Sequence, residues 1–385
     1  MKIVADANIP LLAEAVGPLG EVVALPAERI TADVVRDADA LLVRSVTKVD
    51  KALLAGSRVR FVATATIGFD HIDQGFLKSQ GIGFAYAPGS NARSVAEYVL
   101  AAIFTLAEKD NFRVTDKVLG IVGCGNVGGR LARLAEGIGM RVLRNDPPLA
   151  RKTGDPRYLP IEALAEADIV TFHVPLQRSG PDATHHMIND HRLAAMKRGA
   201  AILNSSRGSV ADPAALKKAV DAGRIGPLVL DVWEGEPNID LDLLGRARLA
   251  TPHIAGYSYD GKINGTRMVM EAMCRHFGLA REWDPRPLMP PPAVPRARVP
   301  GGLAAQQVLR RAIRAAYDIE ADDAHLREIA GRPPEERGKF FSTLRKKYPV
   351  RREFPSMTVE LDAPGAAVEA ALKALDFRVE VRSTI

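Results

Sequence analysis

The chain has 385 residues, of which 47% are hydrophobic and 25% are charged, and its net charge is +6. This composition is ordinary for a soluble globular protein, and the length predicts two or three domains. No apolar run approaches the roughly 20 residues that a membrane-spanning helix needs, and the N-terminus MKIVADANIP lacks a signal-peptide pattern. We therefore expect no membrane partner.

The two cysteines, Cys124 and Cys274, provide neither a disulfide framework nor the spacing of a metal site. We therefore predict a cytoplasmic protein without a bound metal. Basic residues outnumber acidic ones in the last quarter of the chain, which is a known feature of nucleic-acid binding. These residues are not interleaved with stacking aromatic side chains, so we favour a solvated face or an interface and expect no nucleic acid.

Short apolar runs that alternate with helical segments predict a parallel α/β domain at the N-terminus. Ligands of such sheets bind beyond the carboxyl ends of the strands, which directs attention to Arg44, Ser45, Thr66 and Asn91. The predicted strands cover residues 2–5, 21–25, 40–43, 61–65 and 83–87.

A long apolar helix over residues 94–108 precedes the most informative stretch, residues 117–146. This stretch contains a strand, a glycine turn, an amphipathic helix and a second strand, the pattern of a dinucleotide-binding unit. Gly123 permits the tight turn, Gly125 lets a pyrophosphate approach the backbone, and Gly128 lets the helix pack close to the strand. The helix N-terminus then offers N–H groups to the phosphates.

An acidic residue, Asp146, ends the second strand of this unit, 23 residues after Gly123. Its carboxylate can accept hydrogen bonds from both ribose hydroxyls and would repel a 2′-phosphate, so the sequence predicts NAD rather than NADP. Arg144 lies two residues earlier and could soften that discrimination.

Predicted strands over residues 167–172, 200–204, 228–232 and 249–251 each end in a polar cluster. Arg207 offers a planar cation that suits a carboxylate, and His253 is a candidate general base. Glu236 could pair with His253 and stabilise its charged form. An acid–histidine pair beside an arginine would serve the oxidation of an alcohol next to a nicotinamide, with the histidine taking the hydroxyl proton.

The ordered motifs VGCGNVG, HVPL, NSSRG, DVWEGEP and TPHIAGY resemble those of the D-2-hydroxyacid dehydrogenase family over residues 1–280. The resemblance implies an NAD-dependent enzyme with two Rossmann-like parallel-sheet domains, one for substrate and one for NAD. By motif, Arg207, Glu236 and His253 match the catalytic residues of the family.

The resemblance also implies which other residues touch the ligands. Val174 departs from the small hydroxyl residue expected at its position, so we predict that only its backbone contacts the cofactor. The predicted cofactor residues are Gly123, Gly125, Asn126, Val127, Gly128, Asp146, Val174, Ser205, Ser206, Asp231 and Gly256. The predicted substrate residues are Ser45, Thr66 and Tyr257, with Arg44 and, as a helper, Arg93 for a phosphate.

Within the family, the motifs VRSVTKV, ATATIGFDHID and APGSNARSVAEYV resemble those of enzymes that oxidise 4-phospho-D-erythronate. That substrate is a phosphorylated 2-hydroxy acid with two anionic ends. Arg207 suits its carboxylate, and Arg44 with Ser45 supplies a basic and hydroxyl-bearing site for its phosphate.

A proline-rich stretch over residues 285–302 predicts an extended linker. Beyond it, the pattern predicts a small α+β module over residues 303–385, with helices at 303–317, 334–348 and 366–375 and strands at 357–361 and 378–381. The resemblance implies that this module is a dimerisation domain and that the protein is a homodimer. The predicted substrate domain then covers residues 1–92, completed by about 254–284, and the NAD domain covers residues 93–253.

Two alternatives stay open from the sequence. The chain could act on another 2-hydroxy acid, as a 3-phosphoglycerate dehydrogenase does. It could instead be an NAD-sensing binding protein similar to the corepressors that share this fold. The sequence also leaves open whether NAD is released in each cycle or is retained and reoxidised by a 2-oxo acid.

Overall fold

The computed structural model describes residues 1–362 and 365–382. Its strands are β1 (Lys2–Asp6), β2 (Glu21–Leu25), β3 (Ala40–Val43), β4 (Phe61–Thr64), β5 (Gly83–Tyr86), β6 (Val118–Val122), β7 (Arg141–Asn145), β8 (Ile169–Phe172), β9 (Ala201–Asn204), β10 (Leu228–Leu230), β11 (Leu249–Ala250), β12 (Arg296–Val299), β13 (Thr358–Asp362) and β14 (Arg378–Arg382).

The helices are α1 (Leu12–Val16), α2 (Ala32–Val35), α3 (Lys51–Leu54), α4 (Gln74–Ser79), α5 (Ala92–Lys109), α6 (Asn126–Gly137), α7 (Pro147–Thr153), α8 (Asp190–Ala195), α9 (Pro213–Asp221), α10 (Leu241–Arg246), α11 (Tyr259–Phe277), α12 (Ala305–Ala316), α13 (Ile319–Arg327), α14 (Pro334–Lys346) and α15 (Ala366–Ala374). None of these described helices is both long enough and apolar enough to cross a membrane.

The first compact unit comprises residues 1–91 and 258–290. Its parallel sheet has the strand order β2-β1-β3-β4-β5. All residues of β3 and β4 are buried, because apolar side chains cover both faces of a parallel sheet. The strand order reverses at β1, so the carboxyl ends of β1 and β3 form the position where such sheets bind ligands.

The second compact unit comprises residues 92–257 and 291–385. Its larger sheet is also parallel, with the strand order β11-β10-β9-β8-β6-β7. Helix α5 is buried along nearly its whole length, as its mostly apolar sequence leads one to expect. The two parallel sheets and a third, smaller sheet confirm the predicted α/β fold class.

The third sheet has the parallel strand order β12-β13-β14 and lies in the second unit. Strand β12 is a correction to the sequence analysis, which assigned this segment to the linker. Arg296 and Arg298 alternate with Ala297 and Val299, the period of a strand with one face on a core. The preceding prolines are tolerated because β12 is an edge strand. Helix α13 was not predicted either.

The C-terminal segment shares its hydrophobic core with the nucleotide-binding part of the same chain. Leu309 and Ile313 of α12 belong to one buried cluster with residues of α5 and α6. Phe341 of α14 belongs to a second cluster, together with Trp233 and Ile239. The segment is therefore packed against its own chain, and its predicted role in dimerisation stays a prediction.

Candidate active site

The glycine turn after β6 has the geometry that the sequence predicts. Gly123 has a φ of +85°, and a Cβ there would lie 2.5 Å from the carbonyl oxygen of His173. A Cβ on Gly128 would lie 2.0 Å from the carbonyl oxygen of Gly123. Side chains are thus excluded at both positions. Helix α6 begins at Asn126, after Gly125 as its N-cap, so its first N–H groups have no partner within the helix and suit a pyrophosphate.

Asp146 follows β7 and is fixed by two backbone groups. Its Oδ2 accepts a hydrogen bond from the Cys124 N–H at 2.8 Å, and its Oδ1 accepts one from the Leu149 N–H at 2.9 Å. Each carboxylate oxygen keeps a further lone pair for a ribose hydroxyl. Arg144 donates to Glu136 Oε1 at 2.6 Å, so its charge is already paired. Because its charge is paired, Arg144 is less able to attract the 2′-phosphate of NADP and so to reduce the preference for NAD.

The loops after β8 and β9 carry further predicted cofactor residues. The Val174 side chain packs against the glycine turn, because its Cγ1 lies 2.9 Å from where a Gly123 Cβ would stand. Only its backbone therefore suits a cofactor contact. Ser206 Oγ donates to Asn204 Oδ1 at 2.8 Å. Ser205 Oγ is buried and has no hydrogen-bond partner within the described chain, which fits a hydroxyl that bonds to a bound dinucleotide.

The three predicted catalytic residues follow neighbouring strands of one sheet. Arg207 comes after β9, Glu236 after β10 and His253 after β11, and these strands are adjacent and parallel. Their carboxyl ends meet at the same edge, which is where open α/β sheets bind ligands. All three side chains are half-buried.

Glu236 and His253 form a direct pair, with 2.5 Å between Glu236 Oε1 and His253 Nδ1. Because a carboxylate only accepts hydrogen bonds, Nδ1 carries the proton and Nε2 carries the lone pair. Burial raises the pKa of the Glu236 carboxyl, but the hydrogen bond from His253 and the charges of His253 and Arg345 lower it by more. Glu236 is therefore ionised at neutral pH and orients the ring for proton transfer.

The backbone at His253 is held by a buried carboxylate. His253 has a φ of +56°, a conformation that is uncommon outside glycine, and its N–H donates to the Asp231 carbonyl oxygen at 2.7 Å. The Asp231 side chain accepts hydrogen bonds from the N–H groups of Ile254 at 2.7 Å and Ala255 at 3.0 Å. Burial raises the pKa of the Asp231 carboxyl. Asp231 thus shapes the loop on which His253 and Gly256 lie.

Arg207 is held at the end of β9 by its own loop. Its Nη1 donates to the Ser206 carbonyl oxygen at 2.8 Å, and its carbonyl oxygen accepts a hydrogen bond from Asn204 Nδ2 at 3.0 Å. Asn204 also accepts from Ser206, so this one amide organises the whole turn. The sequence analysis did not identify Asn204 as a site residue, although it opens the NSSRG motif.

Arg44, Ser45 and Thr66 lie in the first unit, after β3 and β4. Arg44 Nη1 donates to the Asn8 carbonyl oxygen at 3.1 Å, which places its cation at the carboxyl ends of β1 and β3. Ser45 is exposed, and Thr66 Oγ1 donates to the Gly68 carbonyl oxygen at 2.9 Å. These residues stand where this type of sheet binds a ligand.

Arg93 has acidic partners that the sequence analysis did not foresee. It is an ion-pair partner of Asp376 and Glu97, and only 15% of its side chain is exposed. These contacts tie the start of α5 to the C-terminal segment. They argue against Arg93 as a helper for the substrate phosphate, because its charge is already neutralised.

An arginine of the C-terminal segment, Arg345, lies beside Tyr257. The Arg345 guanidinium of α14 lies 5.5 Å from the centre of the Tyr257 ring. The positive charge of Arg345 also helps to lower the pKa of Glu236. The C-terminal segment thus brings a cation near the Glu236–His253 pair, which the sequence could not reveal because Arg345 lies in a segment without a recognisable motif.

His185, His186 and Glu234 form the one group within the described residues that has the side-chain types of a metal site. His186 Nε2 lies 3.0 Å from Glu234 Oε1. The two imidazole rings are stacked, with an angle of 17° between their planes. Lone pairs in nearly parallel rings do not converge on one ion, so we interpret this group as a hydrogen-bonded His186–Glu234 pair with the His185 ring stacked on it.

Comparison with known proteins shows the family of this chain. Residues 92–255 match the family described as D-isomer specific 2-hydroxyacid dehydrogenase, NAD binding domain. The erythronate-4-phosphate dehydrogenase of Proteus mirabilis is 45% identical over 98% of this chain and 99% of its own length. That of Salinibacter ruber is 47% identical over 96% of this chain and 95% of its own length.

The chain belongs to the erythronate-4-phosphate dehydrogenase family. Residues 288–375 also match a family described as Domain of unknown function (DUF3410).

Solved structures of other 2-hydroxyacid dehydrogenases share the fold over 72% of this chain. D-lactate dehydrogenase from Aquifex aeolicus, solved with NAD and lactic acid, is 26% identical, with a TM-score of 0.56 and 96% of that chain covered. NAD⁺-bound 3-phosphoglycerate dehydrogenase from Entamoeba histolytica is 27% identical, with a TM-score of 0.61 and 95% of that chain covered. The cofactor of this oxidoreductase is NAD.

Asp146→Ala should weaken NAD binding and reduce the preference for NAD over NADP by about tenfold or more, because the ribose loses its acceptor and a 2′-phosphate is no longer repelled. Isothermal titration with both cofactors measures this. Asp212→Ala is the matched control, since Asp212 caps α9 by accepting from the Ala214 N–H at 2.9 Å. An unchanged cofactor preference in Asp146→Ala would show that another residue sets it.

Glu236→Gln should lower kcat by about 10²-fold or more, since the ring loses the carboxylate that orients it. The carboxylate contribution is present at neutral pH and is lost as pH falls through the lowered pKa of Glu236. Steady-state kinetics at neutral pH measure this loss of kcat. Glu234→Gln removes a carboxylate from the same loop and is the control. Equal losses of kcat in the two variants would contradict the pairing.

Proposed function

We propose that this chain oxidises 4-phospho-D-erythronate at C2 to 2-oxo-3-hydroxy-4-phosphobutanoate, with NAD as the acceptor, in the synthesis of pyridoxal 5′-phosphate. The observation that carries this proposal is the Glu236–His253 pair beside Arg207 on adjacent strand ends. The name of its relatives, 45% identical over nearly the whole chain, supports the choice of substrate.

Different residues of the site bind the substrate and accept its proton. Arg207 binds the substrate carboxylate next to the reacting carbon, since its planar cation matches a carboxylate in shape and charge. His253 Nε2 accepts the C2 hydroxyl proton, while Glu236 stabilises the imidazolium that forms. The hydride that leaves C2 is accepted by bound NAD. Asp231 keeps His253 in place through the backbone of its loop, and it also suits the nicotinamide carboxamide.

The cofactor would be held by the loops at one end of the larger sheet. The N–H groups of Asn126 and Val127 bind the pyrophosphate at the start of α6. Asp146 binds the ribose hydroxyls, and Ser205 supplies a hydroxyl whose oxygen has no partner within the described residues. The backbone groups of Val174, Ser206 and Gly256 complete the contacts that the family motifs imply.

The phosphate of the substrate needs cationic and hydroxyl donors, and the first unit offers both. Arg44 and Ser45 follow β3, and Thr66 follows β4. We assign the phosphate to these three residues and place Tyr257, with Arg345 near its ring, at the substrate as well. Arg93 is left out because acidic partners neutralise it.

We further propose that the chain is a homodimer formed through the C-terminal module. The family resemblance of this module supports the proposal. Sedimentation velocity of the full 41.5-kDa chain should give one species of twice that mass. A monomer at micromolar concentration would contradict the proposal.

Turnover of 4-phospho-D-erythronate by purified protein, measured as formation of its 2-oxo product, tests the proposed reaction. We expect this product with NAD alone, where NADH accumulates and is seen at the nicotinamide absorbance, or after 2-oxoglutarate is added, where NADH is oxidised again and does not accumulate. Dependence of product formation on the oxo acid would mean that the cofactor is retained and reoxidised in place. D-3-phosphoglycerate is the comparison substrate, since a 3-phosphoglycerate dehydrogenase shares the fold at 27% identity. A higher kcat/KM on phosphoglycerate, or no oxidation of either acid, would refute the proposed substrate.

A further inference from the structure

Arg351 connects the C-terminal segment to the loop that carries His253. It lies between α14 and β13 in sequence, and only 9% of its surface is exposed. Its Nη2 donates to the carbonyl oxygen of Ala255 at 2.6 Å and lies 3.4 Å from that of Ile254. These are the two residues that directly follow His253. A cation from outside the catalytic motifs thus binds the backbone beside the proposed base.

The position of Arg351 is fixed on several sides. Its guanidinium stacks on the Tyr317 ring, with 4.2 Å between the guanidinium carbon and the ring centre. It also contacts the Ser94 hydroxyl of α5, and that hydroxyl donates to the Ala255 carbonyl oxygen at 2.7 Å. Three residues later, the Phe354 N–H donates to Glu97 Oε1 at 3.0 Å. A planar side chain held in this way has little freedom to move away from the loop.

The same two peptide units are bound from a second direction. Asp231 accepts hydrogen bonds from the N–H groups of Ile254 and Ala255, while Arg351 binds the carbonyl oxygens of the same residues. A buried anion and a buried cation therefore hold opposite polar groups of one short backbone segment. Such a segment cannot shift or rotate unless one of these charge-assisted hydrogen bonds breaks.

We propose that Arg351 is a positioning residue for the reaction: it holds the 254–255 backbone so that His253 keeps its orientation towards Glu236 and the substrate. His253 needs this support because its φ of +56° is unfavourable for a residue with a side chain and persists only where its surroundings enforce it. The C-terminal segment thereby contributes to catalysis in its own chain. This inference rests on the proposed role of His253 as the proton acceptor.

A purely structural role for Arg351 makes a different prediction, and Arg310 provides the comparison. Arg310 is equally buried, with 7% of its surface exposed, and it also joins the C-terminal segment to α5. Its guanidinium donates to Glu108 at 3.0 Å and to Glu320 at 2.9 Å, and none of its hydrogen bonds within the described residues reaches residues 254–255. Loss of Arg310 should weaken the packing of the segment without disturbing the loop.

The test compares Arg351→Ala, Arg351→Lys and Arg310→Ala in the full chain. We expect Arg351→Ala to lower kcat by about 10- to 100-fold, because a misplaced base loses its alignment, while KM for NAD changes by less than about threefold. Arg351→Lys keeps the charge without the planar fork and should fall between wild type and Arg351→Ala. Arg310→Ala should keep kcat within about threefold of wild type even if its melting temperature falls.

Two further readouts separate positioning from packing. Guanidinium ion at low millimolar concentration should restore part of kcat to Arg351→Ala and none to Arg310→Ala, because only in the first variant does the vacated guanidinium position adjoin the 254–255 backbone. Amide hydrogen exchange of Ile254 and Ala255 should be faster in Arg351→Ala than in Arg310→Ala. This last comparison needs no substrate, so it holds even if wild type fails to oxidise 4-phospho-D-erythronate and the proposed function is wrong.

Equal losses of kcat in Arg351→Ala and Arg310→Ala, in proportion to their losses of stability, would overturn the proposal. So would unchanged exchange at residues 254–255 in Arg351→Ala. If Arg351→Ala does not fold, Arg351→Lys decides the matter: wild-type kcat and wild-type exchange in that variant would also overturn it.

Discussion

The hydrogen bond between Glu236 and His253 is the interaction on which the proposed chemistry of this chain depends. It joins two loops, 17 residues apart in sequence, at an O···N distance of 2.5 Å. The bond fixes which ring nitrogen carries the proton, so Nε2 is the atom that can take a proton from an alcohol. Its geometry exists only because β10 and β11 are adjacent, parallel and in register. The sheet therefore sets the distance between the two loops, and the loops set the direction in which the Glu236 and His253 side chains point.

The loop of His253 illustrates how a strained backbone is kept in place. Asp231, at the end of β10, binds the N–H groups after the histidine, and Arg351 binds the carbonyl oxygens of the same residues. Burying these two charges is costly unless they are hydrogen-bonded, and their bonds to the backbone offset part of that cost. This arrangement gives the C-terminal segment a direct effect on the site. It is also consistent with the shared core around Leu309 and Phe341.

Local sequence patterns predicted both large sheets, and the predicted strands agree with the structure within two residues at each end. The glycine turn and the positions of Arg207, Glu236 and His253 at strand ends were predictable because fixed motifs follow buried strands. Long-range contacts were not predictable in this way. Arg351 and Arg345 approach the site from a segment with no motif, and Arg93 is neutralised by Asp376, 283 residues away. Strand β12 was obscured by prolines, which an edge strand tolerates.

The measurement that tests the account most directly is a double-mutant cycle of kcat with Glu236→Gln, His253→Ala and the double variant. If Glu236 acts only through His253, its loss costs nothing once the imidazole is gone. The account predicts that the double variant is no slower than His253→Ala alone, within about threefold. Multiplication of the two single effects in the double variant would mean that the residues act independently, and that result would contradict the proposed pair.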